Sequence, residues 1–409
     1  MLVSHCGFVV ACIALNRPVS AEEEAAVTWT ANPDVVATAT KRNPAANYVE
    51  VNVPTYTLPD PLVAADGSRV TAETWPLRRK EILELFREHV YGRAPVDEPE
   101  NIAFKTLEED PRDFDGRATR RLVEISFDTP HAGRFSFPVQ LYLPNDATKP
   151  VPTVVLLQFR GLTDPAAPLV IERGFALAIL DRTGLAQDDK VRYREGVINA
   201  YSGGEPLAPN AWRSIAAWAW GASRVVDYLE TEPAVDARQI GVAGHSRMGK
   251  TALWAGATDE RFSSVLSNNS GCGGAALSRR AFGETVARIN TTFPHWFCEN
   301  FHQYNGREDA LSVDQHMLIA LIAPRRVYVA SADEDLWADP RGEFLSCLHA
   351  DPVFRLVGVA GLGADKMPAL GRPVAGGHIG YHIRPGGHAL TDYDWHRFLN
   401  FASNDKQSR

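Results

Sequence analysis

The hydrophobic positions of this chain change their period partway along it. Residues 121–127 (RLVEISF) and 135–143 (FSFPVQLYL) alternate apolar and polar side chains. A period of two belongs to antiparallel strands with one face in water. From residue 151 onward the apolar runs become continuous: 151–157 (VPTVVLL), 174–180 (GFALAIL), 240–243 (IGVA), 263–266 (SSVL) and 326–330 (RVYVA). Such runs suit strands covered on both faces, as in a parallel sheet. A last short strand is expected over 380–383. Segments of helical spacing lie between the strands. The strongest covers 212–228, with Ile215, Trp218, Ala222 and Val225 on one side. An earlier one covers 74–91, with Leu77, Ile82, Leu83, Phe86 and Val90 in register before a stop at Gly92. Residues 251–257 and 392–402 also read as helices. Residues 22–60 are polar and rich in Ala, Thr, Asn and Pro, and predict an extended, irregular N-terminal arm.

Strands alternating with helices predict a right-handed, doubly wound α/β sheet. Antiparallel strands first and parallel units afterwards is the order of an α/β-hydrolase fold, a three-layer sandwich around a mostly parallel sheet. No internal repeat, low-complexity tract or linker divides the chain, so residues 22–409 are expected to form one domain.

The turn after residues 240–243 carries the candidate chemistry. It reads Gly244-His245-Ser246-Arg247-Met248-Gly249-Lys250, a one-residue variant of the nucleophile elbow Gly-x-Ser-x-Gly. Glycines are needed there because the serine sits on a strained turn where nearby side chains would collide. The turn lifts the hydroxyl above the sheet edge and aims the Arg247 N–H at an acyl oxygen. Lys250, one helical turn later, points near the same mouth.

A serine nucleophile needs a histidine to take its proton and an acid to orient that histidine. In this fold the chain order is serine, acid, histidine. The glycine-rich segment 385–388 (PGGH) presents His388 just before the terminal helix, and His388 is the candidate base. His378 and His382 lie before or within the strand and read as surface or core residues. The acid is expected after strand 326–330, where four carboxylates crowd into 333–339 (DEDLWAD). Asp335 is the first choice and Asp333 the second. Trp337, on the same loop, offers a flat ring that could stack on a sugar. Trp218, Trp220 and Trp254 read as core.

Composition and charge narrow the class. The chain has 409 residues, 45% of them apolar, and a net charge of −8. That balance argues against nucleic acid or an anionic membrane as partner. No apolar run is long enough to cross a membrane. His295, His302 and His316 are scattered and form no ligand pair at helical spacing, so no metal is expected, and no cofactor. Residues 268–274 (NNSGCGG) lack the lysine and spacing of a phosphate loop and read as a loop lining the site. Residues 1–21, with an apolar stretch over 6–15 and small residues at 19–21, predict a signal peptide and a secreted or periplasmic protein. Cys272, Cys298 and Cys347 would remain after cleavage, enough for one disulfide whose partners are not determined. A monomer is expected.

Together these segments resemble the glucuronoyl esterases, carbohydrate esterase family 15. Gly244 to Lys250 is similar to the family elbow Gly-Cys-Ser-Arg-x-Gly-Lys. Residues 269–280 (NSGCGGAALSRR), 283–286 (GETV), 293–297 (FPHWF), 313–325 (VDQHMLIALIAPR) and 337–340 (WADP) resemble its bacterial branch. The resemblance implies hydrolysis of esters between 4-O-methylglucuronic acid on glucuronoxylan and lignin alcohols. It implies Ser246 as nucleophile, His388 as base, Arg247 on the oxyanion, and Lys250, Glu284 and Trp337 on the sugar hydroxyls. The family shows two positions for the acid. One is Asn269 here, which carries no charge, so the other, Asp335, is favoured. His245 stands where the family has a cysteine, which removes a disulfide partner known in fungal relatives. The alternatives are an acyl esterase of the same fold, such as an acetyl xylan esterase, and a non-catalytic carbohydrate-binding protein.

Overall fold

Two-faced and fully covered strands meet in one nine-stranded sheet. The structure, a computed structural model, describes residues 29–96 and 98–403; the segment read as a signal peptide lies outside them. The strands are β1 (Ala103–Arg112), β2 (Ala118–Thr129), β3 (Gly133–Pro144), β4 (Val151–Gln158), β5 (Ala176–Asp181), β6 (Val235–His245), β7 (Phe262–Asn268), β8 (Arg326–Ala332) and β9 (Ile379–Arg384). Their spatial order is β1-β2-β3-β5-β4-β6-β7-β8-β9. Pairings from β1 to β5 are antiparallel, and those from β5 through β9 are parallel. This is the α/β-hydrolase arrangement that the alternating and continuous runs predict.

Strand β1 carries no apolar alternation and was not expected. Its residues face solvent almost throughout, and five of its ten are charged. A charged, exposed edge deters a further strand from pairing there.

Helix Ser214–Leu229 is buried along nearly its whole length, with Trp218 and Trp220 in the core. The elbow helix Arg247–Thr258 follows β6 and places Trp254 there too. Helix Trp75–Phe86 runs on through a π-helical turn, Arg87–Tyr91, to Gly92, which has φ 85°. A side chain at Gly92 would meet the Ala211 carbonyl oxygen at 2.4 Å. Leu77, counted above among the core positions of this helix, is instead 64% exposed. Cys272, Cys298 and Cys347 are buried, and they form no disulfide among the described residues.

The N-terminal arm departs from expectation. Residues Pro33–Arg42 form a helix, with the Asn32 side chain capping the Asp34 N–H at 2.9 Å. It buries no residue fully, so its sequence shows no strong apolar stripe. Its Val35, Val36 and Ala39 pack around Leu336 and Trp337 on the loop after β8. The following segment is fastened by Glu50, which accepts from the fully buried Arg280 at 2.9 Å and pairs with Arg341 at 3.3 Å. Tyr48 meets Phe282 edge to face at 6.1 Å. Contacts over such sequence separations are invisible to local pattern, and they bring the arm to the same sheet edge as the elbow.

Candidate active site

The site lies at the carboxyl ends of β6, β7, β8 and β9, where loops of an open α/β sheet gather their functional groups. Ser246 follows the last residue of β6 and has φ 58° and ψ −126°. A non-glycine residue held there costs on the order of 1–3 kcal/mol. Packing on both sides maintains it. The Ser246 N–H donates to the Asn268 carbonyl at 2.8 Å. A Cβ on Gly244 would stand 2.1 Å from the Met248 carbonyl oxygen, and one on Gly249 3.0 Å from Ser270. The two glycines of the elbow are therefore steric requirements. Arg247 opens the helix, where its N–H has no acceptor within the helix.

His388 Nδ1 lies 2.6 Å from Asp335 Oδ2. Asp335 is buried, whereas the His388 side chain is 43% exposed. The Asn269 amide donates to the same carboxylate oxygen at 2.8 Å. Asn269 thus bonds the Asp335 carboxylate and carries no charge of its own. Asp333 has a different partner: it accepts the Gly386 N–H at 2.8 Å and so pins the loop that presents His388. Glu343 is fully buried and accepts from the Ser270 and Gly271 N–H groups at 2.8 and 3.0 Å. Burial pushes its carboxyl up to about 8, against its bond with Ser331.

His245 packs against the catalytic candidate, with the His245 and His388 ring centres 4.4 Å apart. Its Nδ1 is 2.6 Å from Asn268 Oδ1. Burial and then the neighbouring His388 lower its pKa to about 4, so it is neutral near pH 7.

The two cations of the elbow helix diverge. The Arg247 guanidinium pairs with Asp188 and lies over Trp296 at 4.8 Å and Phe159 at 5.5 Å. Phe293 stacks on Trp296, with ring centres 3.8 Å apart. Lys250 is buried, and its ammonium donates to the carbonyls of Ser270 and Cys272, the latter at 2.7 Å. It faces Glu284 at 3.6 Å. Burial raises the Glu284 carboxyl above its ordinary value, with Lys250 and the Trp337 side chain opposing. Gly283 has φ 61°, and a Cβ there would be 2.6 Å from the carbonyl oxygens of Leu336 and Trp337. That close approach joins the Glu284 loop to the Trp337 loop.

A cavity of about 380 Å³ is bordered by Ser246, Arg247, Lys250, Glu284, Asp335, Trp337 and His388. Asp333, the second choice for the acid, is not among its lining residues. Loop 268–274 contributes Asn269, Ser270 and Gly271, as expected. Residues that sequence reasoning did not assign also line it: Phe293 and Trp296, and from the N-terminal arm Ala39, Arg42, Asn43 and Tyr48. Behind Arg247, Asp188 was missed as well. Its one signal was position, in the loop that follows a parallel strand at its carboxyl end. His295, set aside as scattered, bonds to Asp188 at 2.8 Å. His382 is fully buried and satisfied by Tyr328 and Asp394, in keeping with a core role.

The sheet and the loop-borne site define an α/β-hydrolase. A profile described as "Glucuronyl esterase, fungi" matches residues 129–358, more than half of the chain. The chain is 44% identical to carbohydrate esterase MZ0003, from an unknown prokaryotic organism, over 92% of this chain and 95% of that one. It is 30% identical to a 4-O-methyl-glucuronoyl methylesterase of Schizophyllum commune over 74% of each. Among solved structures, a glucuronoyl esterase from Solibacter usitatus matches with a TM-score of 0.81 at 39% identity, covering 87% of this chain and 99% of that one. A promiscuous CE15 esterase from a marine bacterial metagenome matches with a TM-score of 0.80 at 41% identity, over 88% and 99%. The chain belongs to the glucuronoyl esterases of carbohydrate esterase family 15 and is a carboxylic ester hydrolase.

Proposed function

We propose that this chain is an exported serine esterase that cleaves esters between 4-O-methyl-D-glucuronic acid of glucuronoxylan and lignin alcohols. The observation that carries the reading is the convergence on one cavity of Ser246, on its strained turn, and the His388–Asp335 pair, together with Lys250, Glu284 and Trp337. Export is supported by the signal-like residues 1–21.

With Nδ1–H committed to Asp335, His388 keeps Nε2 basic. It takes the Ser246 proton as Oγ bonds to the uronoyl carbon. The carbonyl electron pair moves onto oxygen, where the Arg247 N–H and guanidinium receive it. One such donor is worth about 3 kcal/mol of barrier. The ester C–O bond then breaks, and the alcohol leaves with the proton from His388. Water, deprotonated by the same imidazole, attacks the acyl-serine. Glucuronate departs and the proton returns to Ser246. Lys250 and Glu284 suit ring hydroxyls, and Trp337 suits a sugar face. A simple acetyl ester would need neither.

Ser246→Ala is expected to lower turnover of benzyl or methyl glucuronate esters by at least ~10³-fold. Full activity of that variant overturns the reading. A second reading, a broader acyl esterase, is favoured by the likeness to a structure described as promiscuous. Equal rates on methyl glucuronate and acetylated xylan would select it.

A further inference from the structure

Asp188 sits behind Arg247 and gathers four donors on one buried carboxylate. Oδ1 accepts from His295 Nε2 at 2.8 Å and from Trp296 Nε1 at 2.6 Å. Oδ2 pairs with Arg182 Nη2 at 3.2 Å and with Arg247 Nη1 at 2.5 Å. Its side chain is 7% exposed. Arg182 is itself held over the Trp218 ring at 5.0 Å, so the carboxylate is fixed from the core side. Arg247 Nε is buried and has no hydrogen-bond partner among the described residues. A buried unpaired donor costs free energy unless an acceptor arrives. Arg247 lines the cavity beside Ser246, where an acyl oxygen would develop charge.

We infer that Asp188 is a positioning residue for the oxyanion site: it ties down Nη1 of Arg247 and so fixes the guanidinium beside Ser246. This rests on the oxyanion role given to Arg247 under the proposed function. The fork of a guanidinium is rigid, so fixing one nitrogen orients the rest. Preorganised donors of this kind act mainly on the transition state. His295 and Trp296 hold Asp188 in turn. The segment 293–297 therefore serves Arg247 twice, through the stacked Trp296 ring and through the bonds to Asp188.

The test is a double-mutant cycle between Asp188→Asn and Arg247→Ala, read as kcat and KM on a glucuronate ester and on an aryl acetate. Asp188→Asn is expected to lower kcat roughly 10- to 100-fold, a share of the ~10²–10³-fold that one oxyanion donor supplies, with KM changed less than about threefold. In the Arg247→Ala background it should cost nothing further. His295→Ala, which removes one donor and keeps Arg247, serves as the milder variant should Asp188→Asn not fold. It should lower kcat by about two- to fivefold, again only while Arg247 is present. Losses that multiply independently of Arg247, or that fall on KM alone, overturn the inference. Coupling on the aryl acetate without turnover of glucuronate esters would keep Asp188 in this role and remove the substrate reading instead.

Discussion

Arg247 and Lys250 stand one helical turn apart on the same helix and border the same cavity, yet they are held in opposite ways. Arg247 keeps a side chain that is 29% exposed, and its charge is answered from outside by Asp188, which the loop after β5 delivers. Lys250 is 5% exposed and is answered from within, by two loop carbonyls and by Glu284. Burying a bare ammonium is costly, and the two carbonyls and the Glu284 carboxylate offset that cost. The guanidinium sheds its hydration more readily and lies among the rings of Phe159, Phe293 and Trp296. The arginine side is therefore partly open, and the lysine side is a nearly enclosed part of the cavity wall. Removing the first should cost rate, and removing the second should cost the fold around it.

The sharpest way to break this contrast is Lys250→Met. It leaves Glu284 buried without its countercharge, which should lower unfolding free energy by about 3–5 kcal/mol in denaturant titration. Stability within about 1 kcal/mol of the parent would show that the lysine side is not closed. Arg247→Ala should do the reverse. Turnover of a methyl glucuronate ester should fall ~10²–10³-fold, about 3–4 kcal/mol of barrier. Its stability should change by only about 1–2 kcal/mol, because Asp188 keeps Arg182, His295 and Trp296. A mainly thermal defect with normal kcat would merge the two sides.

Glu343 tests how the lysine side is built, since it holds Ser270 and Gly271, whose loop supplies two of the lysine's acceptors. Glu343→Ala leaves two buried N–H groups unpaired and should cost about 2–3 kcal/mol. With a carboxyl pushed up to about 8, Glu343 is already largely protonated near pH 7, so Glu343→Gln should stay within about 1 kcal/mol of the parent. Equal losses in both variants would mean that a charged carboxylate holds the loop.

The smallest effect concerns acid. His245 at the elbow and the buried His316 both have pKa values lowered to about 4, chiefly by burial. Unfolded, each would titrate near its ordinary value of about 6.5. The unfolded chain therefore binds more protons between these values, and stability falls as pH drops through that window. Each should cost on the order of 1 kcal/mol by pH 5.5. Denaturation midpoints at pH 5.5 and 7.5 measure this, and His245→Asn should flatten the slope. An unchanged slope would mean that His245 does not hold its proton off.

Much of the fold was legible because its signals are local. Continuous apolar runs mark β4 to β8, and the glycines of the elbow reflect contacts within a few residues of Ser246 or with the adjacent strand. The charged β1 has no such signal, because an edge strand is specified by its partner rather than by its own burial. The helix Pro33–Arg42 was missed for a related reason, since its apolar residues meet a loop some 300 positions away and none is fully covered.

The chain's own pattern determined the α/β sheet, the strained serine turn and a histidine on the last loop, because each depends on residue type and short-range spacing. Only the tertiary structure separated Asp335 from Asp333. The two lie two positions apart on one loop, and the difference is which of them meets His388 and which meets the Gly386 backbone. It likewise decided that Asp188 and His295, 107 positions apart, share a bond behind Arg247. Such pairings follow from where strands deliver their loops, and in a doubly wound sheet that is set by long-range packing of the whole.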